Sequence, residues 1–350
     1  MASRKPLPRI EIAHFDTNFF DDKDRFDAWN ENMGVLFDLR GPDGSVPTHE
    51  MNAQIDVCNL GDAVFGVTRA QSQLFSRDDL RVARDGMDHI LVQVFIEGGG
   101  LASSDDRIEA GDMLIIDLDQ PHEMLNTDFA NLTMVLPRAL HPKLSDLLAG
   151  FHGKRLGRDH PMVPFMTDHL CSLWKHVPEM DAGYAQVALK GALGLLEGWL
   201  THEAALTDDM PREVSVAVSK SIFRYIDGHL GESLSPEFLA KTFRISRSQL
   251  YRIFAPHDGV ARYILERRLR RSLQLLSTPS NDAMKIGAIA FMCGFSSESQ
   301  FSKSFKHRFG ITASEARAMG KDAGAFGPAG AAMEGRDLPA FTAWIKSLGN

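Results

Sequence analysis

The fold of this chain is decided by residues 286–317, IGAIAFMCGFSSESQFSKSFKHRFGITASEAR. The apolar residues at the start of this stretch have the spacing of one face of a short helix. Gly294 is expected to end that helix, because glycine can take the left-handed conformation. Ser297 is a suitable N-cap for a second helix. The side of the second helix that faces a core is a row of phenylalanines spaced four residues apart: Phe301, Phe305 and Phe309.

The pattern predicts a helix-turn-helix, and the second helix carries groups suited to DNA. Its other sides bear hydroxyl, amide, carboxylate and cationic groups, which can hydrogen-bond to base edges and neutralise phosphates. A polar helix on the surface of an ordinary helical bundle would present the same groups. The residue types alone therefore leave both interpretations open.

The stretch resembles the helix-turn-helix of the AraC/XylS family of bacterial transcription regulators. The resemblance is carried by Ile289, Ala290, Gly294, Phe295, Ser299, Phe301, Ser302, Phe305, Lys306, Phe309, Gly310 and residues 314–317. Ala313 departs from the family, which usually has proline at that position. The resemblance implies an all-α DNA-binding domain with two helix-turn-helix units.

A first unit of this kind precedes the quoted stretch. Ser235 and Pro236 occupy the cap and the first turn of a predicted helix, and Ser246 can cap the helix that follows. A long basic helix over residues 263–277, YILERRLRRSLQLLS, would join the two units. We therefore expect the DNA-binding domain to cover residues 212–319.

The distribution of charge supports this division. The whole chain has a formal net charge of −8, but residues 212–317 contain 17 Lys and Arg against 9 Asp and Glu, a balance of +8. Residues 1–211 contain 18 against 34, a balance of −16. A basic module on an acidic body is typical of a DNA-binding domain attached to a regulatory domain.

Matching the family's recognition-helix positions onto this chain implies base contacts by Ser248, Tyr251 and Arg252 in the first unit, and by Glu298, Ser299, Gln300 and Lys303 in the second. Arg252 and Lys303 suit guanine, whereas Gln300 suits adenine. Glu298 can accept a hydrogen bond from the amino group of cytosine. Phosphate contacts are expected from Arg247, Ser302 and Lys306. Each position is equally compatible with a solvated surface residue.

The region before this domain predicts β-structure. Short apolar runs bounded by turn residues occupy residues 52–136, and the glycines at 98–100 predict a hairpin connection. Such strands favour a small β-barrel or jelly roll. Residues 111–126 resemble the second cupin motif, with Gly111, His122 and Asn126 at the matching spacing. The order of segments over residues 14–142 also resembles the N-terminal sensor domain of one branch of the AraC/XylS regulators.

This second resemblance implies a cupin-like sensor domain, which we place at residues 1–145, that senses a small molecule or a protein partner. The His-x-His half of the cupin metal site is missing, so we expect no metal and no cofactor. His122 is expected at the edge of the barrel or in a pocket. The ligand-binding residues stay unassigned at this point.

Residues 146–206 have a helical pattern. The second helix there is apolar and rich in small residues, which suits packing on its own barrel or against a second copy of the chain. The family resemblance implies dimerisation by this segment. Residues 207–211 form a polar linker, and residues 320–350 a tail of flexible composition. The tail ends in a predicted short helix with an apolar side: Phe341, Trp344, Ile345 and Leu348.

Composition further restricts the classes of function that this chain can have. Apolar content of 44% and charged content of 24% are typical of a globular protein. No run of 18 apolar residues occurs, so no membrane partner is expected. Three scattered cysteines indicate reduced thiols and a cytoplasmic location. A catalytic role is not expected, because His202-Glu203 lacks the second histidine of zinc proteases and neither a phosphate loop nor a nucleophile elbow occurs.

These patterns predict an α+β protein of two domains that acts as a sequence-specific DNA-binding transcription regulator. We expect an activator that binds double-stranded promoter DNA as a homodimer, with RNA polymerase as a candidate partner and a small effector in the N-terminal barrel. The alternative is a regulator controlled by protein contact or by expression level. A cupin-type enzyme is a remote alternative.

Overall fold

The computed structural model describes residues 9–46, 51–102, 106–206, 212–255, 258–278, 281, 283–318 and 339–348. These residues form two compact units. The first, the sheet unit, draws on the ranges 1–78, 87–207 and 334–350. The second, the helical unit, draws on 79–86 and 208–333. The predicted linker, 207–211, and residues 320–338 of the predicted tail lie outside the described residues.

The strands of the sheet unit form two antiparallel sheets. In chain order they are β1 (Ile12–Asp16), β2 (Asp38–Arg40), β3 (Ala53–Asn59), β4 (Val64–Ala70), β5 (Gln73–Arg77), β6 (Ile90–Glu97), β7 (Gly99–Ala102), β8 (Arg107–Glu109), β9 (Met113–Asp117), β10 (His122–Asn126), β11 (Phe129–Leu136) and β12 (Arg155–Leu156). The larger sheet has the order β1-β3-β4-β11-β6-β9-β12, and the smaller one β2-β5-β10-β7-β8. The predicted α+β class is confirmed, with two open sheets in place of a closed barrel.

The helices alternate between the two units along the chain. They are α1 (Arg25–Met33), α2 (Asp79–Asp85), α3 (Pro142–Ala149), α4 (Met162–His176), α5 (Ala182–Leu206), α6 (Arg212–Gly228), α7 (Pro236–Thr242), α8 (Arg247–Ile253), α9 (Val260–Ser277), α10 (Ile286–Met292), α11 (Glu298–Phe309) and a C-terminal helix (Pro339–Ser347). Residues 313–318 are also helical. Among the helices in the described ranges, none combines the length and apolar character that crossing a membrane requires.

The central strands of the larger sheet are buried on both faces, because successive side chains of a strand point to opposite sides. On one face, Leu91 and Phe129 belong to a core shared with α1 and the smaller sheet. On the other face, Val92 and Leu132 belong to a core shared with α3, α4 and α5. The sheet unit therefore has three layers: the smaller sheet, the larger sheet, and the helices α3, α4 and α5.

The glycines at 98–100 do not form the predicted hairpin. β6 lies in the larger sheet, whereas β7 lies in the smaller one and pairs with β10. Gly98 has φ +66°, and a Cβ there would collide with the carbonyl oxygen of Asp128. The glycines let the chain cross from one sheet to the other. The hairpin prediction was wrong because turn chemistry does not specify which sheet receives the next strand.

Helix α5 packs on its own sheet through one face, where Ala185, Leu189 and Leu196 are buried. The opposite face stays exposed: Tyr184 is 71% and Val187 69% exposed. Of the two predicted roles, packing on the sheet of the same chain is observed. Dimerisation through the exposed face stays a prediction.

The helical unit contains two cores joined by α9. Leu239, Leu250 and Ile264 belong to the first core, formed by α6, α7, α8 and the start of α9. Leu273 and Phe301 belong to the second, formed by the end of α9, α10, α11 and residues 313–318. Helix α2, which the sequence did not predict, packs Leu80 against this second core.

Candidate DNA-binding interface and ligand cavity

The helices that carry the predicted DNA contacts, α8 and α11, both begin at a capping serine. Oγ of Ser246 accepts a hydrogen bond from the backbone N–H of Gln249 at 3.2 Å, and Oε1 of Gln249 accepts one from the backbone N–H of Ser246 at 2.9 Å. Oγ of Ser297 accepts from the backbone N–H of Gln300 at 3.4 Å. These caps fix where each helix starts and therefore which side chains of its first turn point outward.

The ten predicted DNA contacts are all exposed in the structure. They are Arg247, Ser248, Tyr251 and Arg252 on α8, and Glu298, Ser299, Gln300, Ser302, Lys303 and Lys306 on α11. The opposite sides of these helices bury Leu250 and Phe301. DNA contact requires this exposure, but solvation would produce it as well, so the role of each residue stays a prediction.

Arg247 and Glu298 also contact neighbouring helices. Nη2 of Arg247 lies 3.1 Å from Oε1 of Glu237 on α7, and both side chains are more than half exposed. An ion pair so exposed is weak, so it leaves Arg247 able to contact a phosphate. The carboxylate of Glu298 lies against Gly287 of α10, where a Cβ would be 2.7 Å from Oε2.

Arginines of α9 join this helix to the end of α6. Arg268 donates from Nε to the carbonyl oxygen of Leu230 at 2.9 Å and from Nη2 to that of Glu232 at 2.7 Å. Arg267 donates from Nε to Oδ1 of Asp227 at 2.7 Å. These two arginines therefore fix the end of α6 and the loop after it against the connecting helix.

A charged cluster holds the end of α11. Arg308 donates from Nε and Nη2 to the two carboxylate oxygens of Glu266, at 2.6 and 2.8 Å, and it also pairs with Asp79 of α2. Nε of Arg270 donates to Glu266 at 3.0 Å. Burial alone would raise the pKa of Glu266, but its bonds and charge interactions with Arg308 and Arg270 outweigh burial and lower that pKa. Arg308 is thus engaged within the helical unit.

The glycines that follow α10 and α11 make a stability prediction possible. Gly294 and Gly310 have φ of +85° and +73°, a conformation that costs alanine about 1 kcal/mol. A Cβ at Gly294 would also collide with the carbonyl oxygen of Leu230, whereas nothing lies within 4 Å of a Cβ at Gly310. We expect Gly310→Ala to lower the free energy of unfolding by about 1 kcal/mol and Gly294→Ala by about 3 kcal/mol. Urea unfolding followed by circular dichroism would measure both, and equal losses would contradict the close approach at Gly294.

A cavity lies between the two sheets of the sheet unit. It encloses about 50 Å³ of interior space and opens in part to solvent. Its walls are mostly apolar, with Ile55, Phe75 and Leu91 among the lining residues. The polar side chains of the lining are Thr68, Gln93, His122, Asn126, Asn131 and Thr133. A mostly apolar lining with a few polar groups is the composition of a small-molecule site.

The structure places His122 in this cavity, one of the two locations that the sequence predicted. Burial, assisted by the nearby His152, lowers the pKa of His122 to about 3, so its ring is neutral at neutral pH. Nδ1 of His152 accepts from the backbone N–H of Asp117 at 3.0 Å, and Nε2 donates to the carbonyl oxygen of Pro121 at 3.0 Å. His152 is therefore fixed beside His122 in one neutral tautomer.

Besides Thr68, the sequence did not identify three polar residues of the lining that bond to one another: Gln93, Asn131 and Thr133. Nε2 of Gln93 donates to Oγ1 of Thr133 at 3.2 Å, and Oγ1 of Thr133 donates to Oδ1 of Asn131 at 3.2 Å. Each interrupts an apolar strand, in ILVQVFIE or FANLTMVL. A polar residue inside a strand buried on both faces needs a hydrogen-bond partner, and that signal was available in the sequence.

Comparison with known proteins finds relatives that match the helical unit. A family described as a helix-turn-helix domain matches residues 239–319. Over 228 residues the chain is 34% identical to the HTH-type transcriptional activator RhaS of Escherichia fergusonii, and the match covers 62% of this chain and 79% of that protein. The Msm operon regulatory protein of Streptococcus mutans is 33% identical over 123 residues, which are 33% of this chain and 43% of that protein. The chain thus spans less than half the length of the second relative.

Solved structures show a similar fold. The crystal structure of the AraC-like transcriptional activator CuxR matches this chain with a TM-score of 0.51 and 20% sequence identity. The match covers 74% of this chain and 94% of that one. At this identity the likeness concerns the fold and assigns no roles to residues.

Proposed function

The chain belongs to the AraC/XylS family of DNA-binding transcription regulators, and we propose that it is a sequence-specific activator that recognises two DNA half-sites with α8 and α11. The observation that carries the proposal is the pair of capped helices, each with exposed polar side chains opposite a buried apolar side. The relative named as an activator, RhaS, supports activation as the sign of regulation. RNA polymerase is then the expected protein partner.

The residues of the two helices divide into base and phosphate contacts. Arg252 and Lys303 are proposed to contact guanine O6 and N7, and Gln300 adenine. Glu298 is proposed to accept from the amino group of cytosine, and Ser248, Tyr251 and Ser299 are proposed as further base contacts. Arg247, Ser302 and Lys306 are proposed to hold phosphates, which position the helices without specifying sequence.

Selection of binding sequences from a random DNA library tests this function. We expect the full-length protein to enrich sequences with two conserved blocks whose centres lie about one helical turn, roughly 10 base pairs, apart. The affinity for these sequences should fall steeply with salt concentration. Enrichment of a single block would contradict recognition by both helices, and no enrichment at all would contradict sequence-specific binding.

The cavity of the sheet unit supports control by a small molecule. Its mostly apolar walls and few polar groups suit an effector, whereas a filled interior would have favoured control by protein contact alone. The chemistry of the residues that line the cavity then determines which class of small molecule can bind there.

The exposed face of α5 is proposed to form the homodimer. Tyr184 and Val187 project from this face, and exposed apolar side chains of this size in one row are typical of an interface. The double variant Tyr184→Asp, Val187→Asp should sediment as a monomer at concentrations where the unchanged protein is a dimer. Phe165→Asp, at an exposed position on α4, is the matched control and should leave the sedimentation coefficient unchanged. A dimer that survives the double change would place the interface elsewhere.

A further inference from the structure

We propose that the effector is a neutral, largely apolar small molecule that donates a hydrogen bond to Oδ1 of Asn126 and forms another with Nε2 of His122, in a cavity completed by the C-terminal helix. This inference rests on the proposed function, because it assigns the chemistry of the molecule that would control the regulator. It specifies the chemical class of the ligand, two protein atoms that bond to it and one wall of the site.

The lining indicates that the ligand carries no charge. None of the described residues that line the cavity is Asp, Glu, Lys or Arg. His122, the titratable side chain among them, is neutral because burial and His152 lower its pKa to about 3. A carboxylate, phosphate or ammonium group would lose its hydration in this cavity without gaining an opposite charge. A neutral ligand avoids that loss.

Two buried polar atoms of the lining define where the ligand bonds. Oδ1 of Asn126 and Nε2 of His122 have no hydrogen-bond partner among the described residues, and each side chain is 4% exposed. Buried polar atoms are normally bonded, because leaving one unpaired is unfavourable. Oδ1 of Asn126 can only accept, so the ligand must donate there. The polar groups of Gln93, Thr133 and Asn131 are already bonded to one another.

The C-terminal helix supplies part of the cavity wall. Phe341 lines the cavity and is 8% exposed. One helical turn further on, Ile345 is fully buried, and its carbonyl oxygen lies 3.3 Å from Nε2 of His89. The ligand site therefore combines strands near the start of the chain with a helix that follows the DNA-binding helices in sequence.

Two fluorescent probes with the same aromatic rings test the ligand class on the full-length protein. N-phenylnaphthylamine is neutral and has one N–H donor, whereas anilinonaphthalenesulfonate adds a negative charge. Fluorescence titration at neutral pH gives Kd for each probe. We expect the neutral probe to bind at least about tenfold more tightly, because only the sulfonate must be desolvated beside uncharged walls.

Three variants locate the bound probe. Asn126→Leu removes the acceptor at similar volume and should weaken binding of the neutral probe about tenfold. Phe341→Ala removes part of the wall and should also weaken it several-fold. Phe165→Ala, at a position 51% exposed and outside the lining, is the control and should leave Kd unchanged. If Asn126→Leu does not fold, as judged by circular dichroism, Phe341→Ala still locates the probe.

Each other outcome overturns a defined part of the proposal. Tight sulfonate binding that Asn126→Leu and Phe341→Ala both weaken would overturn the neutral class. Binding of the neutral probe that neither variant weakens would place it outside the cavity and overturn the site. DNA selection separates the two proposals: DNA binding without probe binding overturns the ligand site alone, whereas probe binding without DNA binding overturns the regulator and supports the site.

Discussion

Replacing Phe301 by alanine is expected to lower the free energy of unfolding of the helical unit by about 3–5 kcal/mol. Phe301 is fully buried, and its ring centroid lies 5.1 Å from that of Phe295 and 5.3 Å from that of Phe305. Truncation would leave a cavity that the neighbouring rings fill only in part. Because α11 presents six of the predicted DNA contacts, the change should also reduce DNA binding wherever the unit begins to unfold.

The distribution of tryptophan makes this loss measurable in the intact chain. All four tryptophans belong to the sheet unit: Trp29, Trp174, Trp199 and Trp344. Tryptophan fluorescence therefore follows the sheet unit, while circular dichroism follows the helices of both units. In urea, Phe301→Ala should move the circular-dichroism transition to lower concentration and leave the fluorescence transition in place.

The matched control for this change is Phe309→Ala. Phe309 lies in the same row of α11 but is only partly buried, with its ring centroid 4.8 Å from that of Phe305. Its truncation should cost less than half as much, because less surface leaves the core. If the tryptophan transition shifts together with the circular-dichroism transition, the two units unfold as one block, and the expected independent unfolding of the helical unit is wrong.

The helical unit could be predicted closely because its signals are local. The caps at Ser246 and Ser297, the positive φ of Gly294 and the row of phenylalanines on α11 each depend on residues within one or two helical turns. Such signals determine where a helix starts, ends and faces its core. The exposed sides, to which we assign the DNA contacts, follow from them directly.

For the sheet unit, only the fold class could be predicted. Strand segments have local signals, but their partners do not: β10 pairs with β5 on one side and β7 on the other. The wrong hairpin at residues 98–100 has this cause. The polar residues of the cavity, such as Asn126 and Asn131, come from strands in different sheets, so no spacing in the sequence shows that they line the same cavity.

The positions of two helices could not be predicted for the same reason, because their contacts are with residues far apart in the sequence. The sequence predicted an apolar side for the C-terminal helix but no surface for it to pack on, and the structure buries Phe341, Ile345 and Leu348 in the core of the sheet unit. Helix α2 had no sequence signal, and it is held by contacts distant in sequence, such as the one between Asp79 and Arg308, 229 residues apart. Contacts of this kind are made by the complete fold and cannot be inferred from neighbouring residues.

Replacing Arg252 or Lys303 by alanine is expected to weaken binding to the selected DNA by about 1–3 kcal/mol each, roughly 5- to 150-fold in Kd. Both side chains are exposed, on α8 and α11 respectively, and both can donate to guanine. Each change should also relax the preference at one position of one half-site. Repeating the DNA selection with each variant measures that loss of preference, and titration of the selected sequence measures affinity.

Salt dependence distinguishes base contacts from phosphate contacts. Lys306→Ala should weaken binding nearly equally for all sequences and reduce the slope of log affinity against log salt by about 1, as expected for the loss of one phosphate contact. Arg224→Ala removes the same charge from an exposed position on α6 and controls for the net charge of the unit. The Arg252 and Lys303 variants should instead lose affinity for the selected sequence more than for random DNA. If their loss is uniform and the slope falls, both residues are phosphate contacts, and base recognition must come from Gln300, Glu298 and their neighbours.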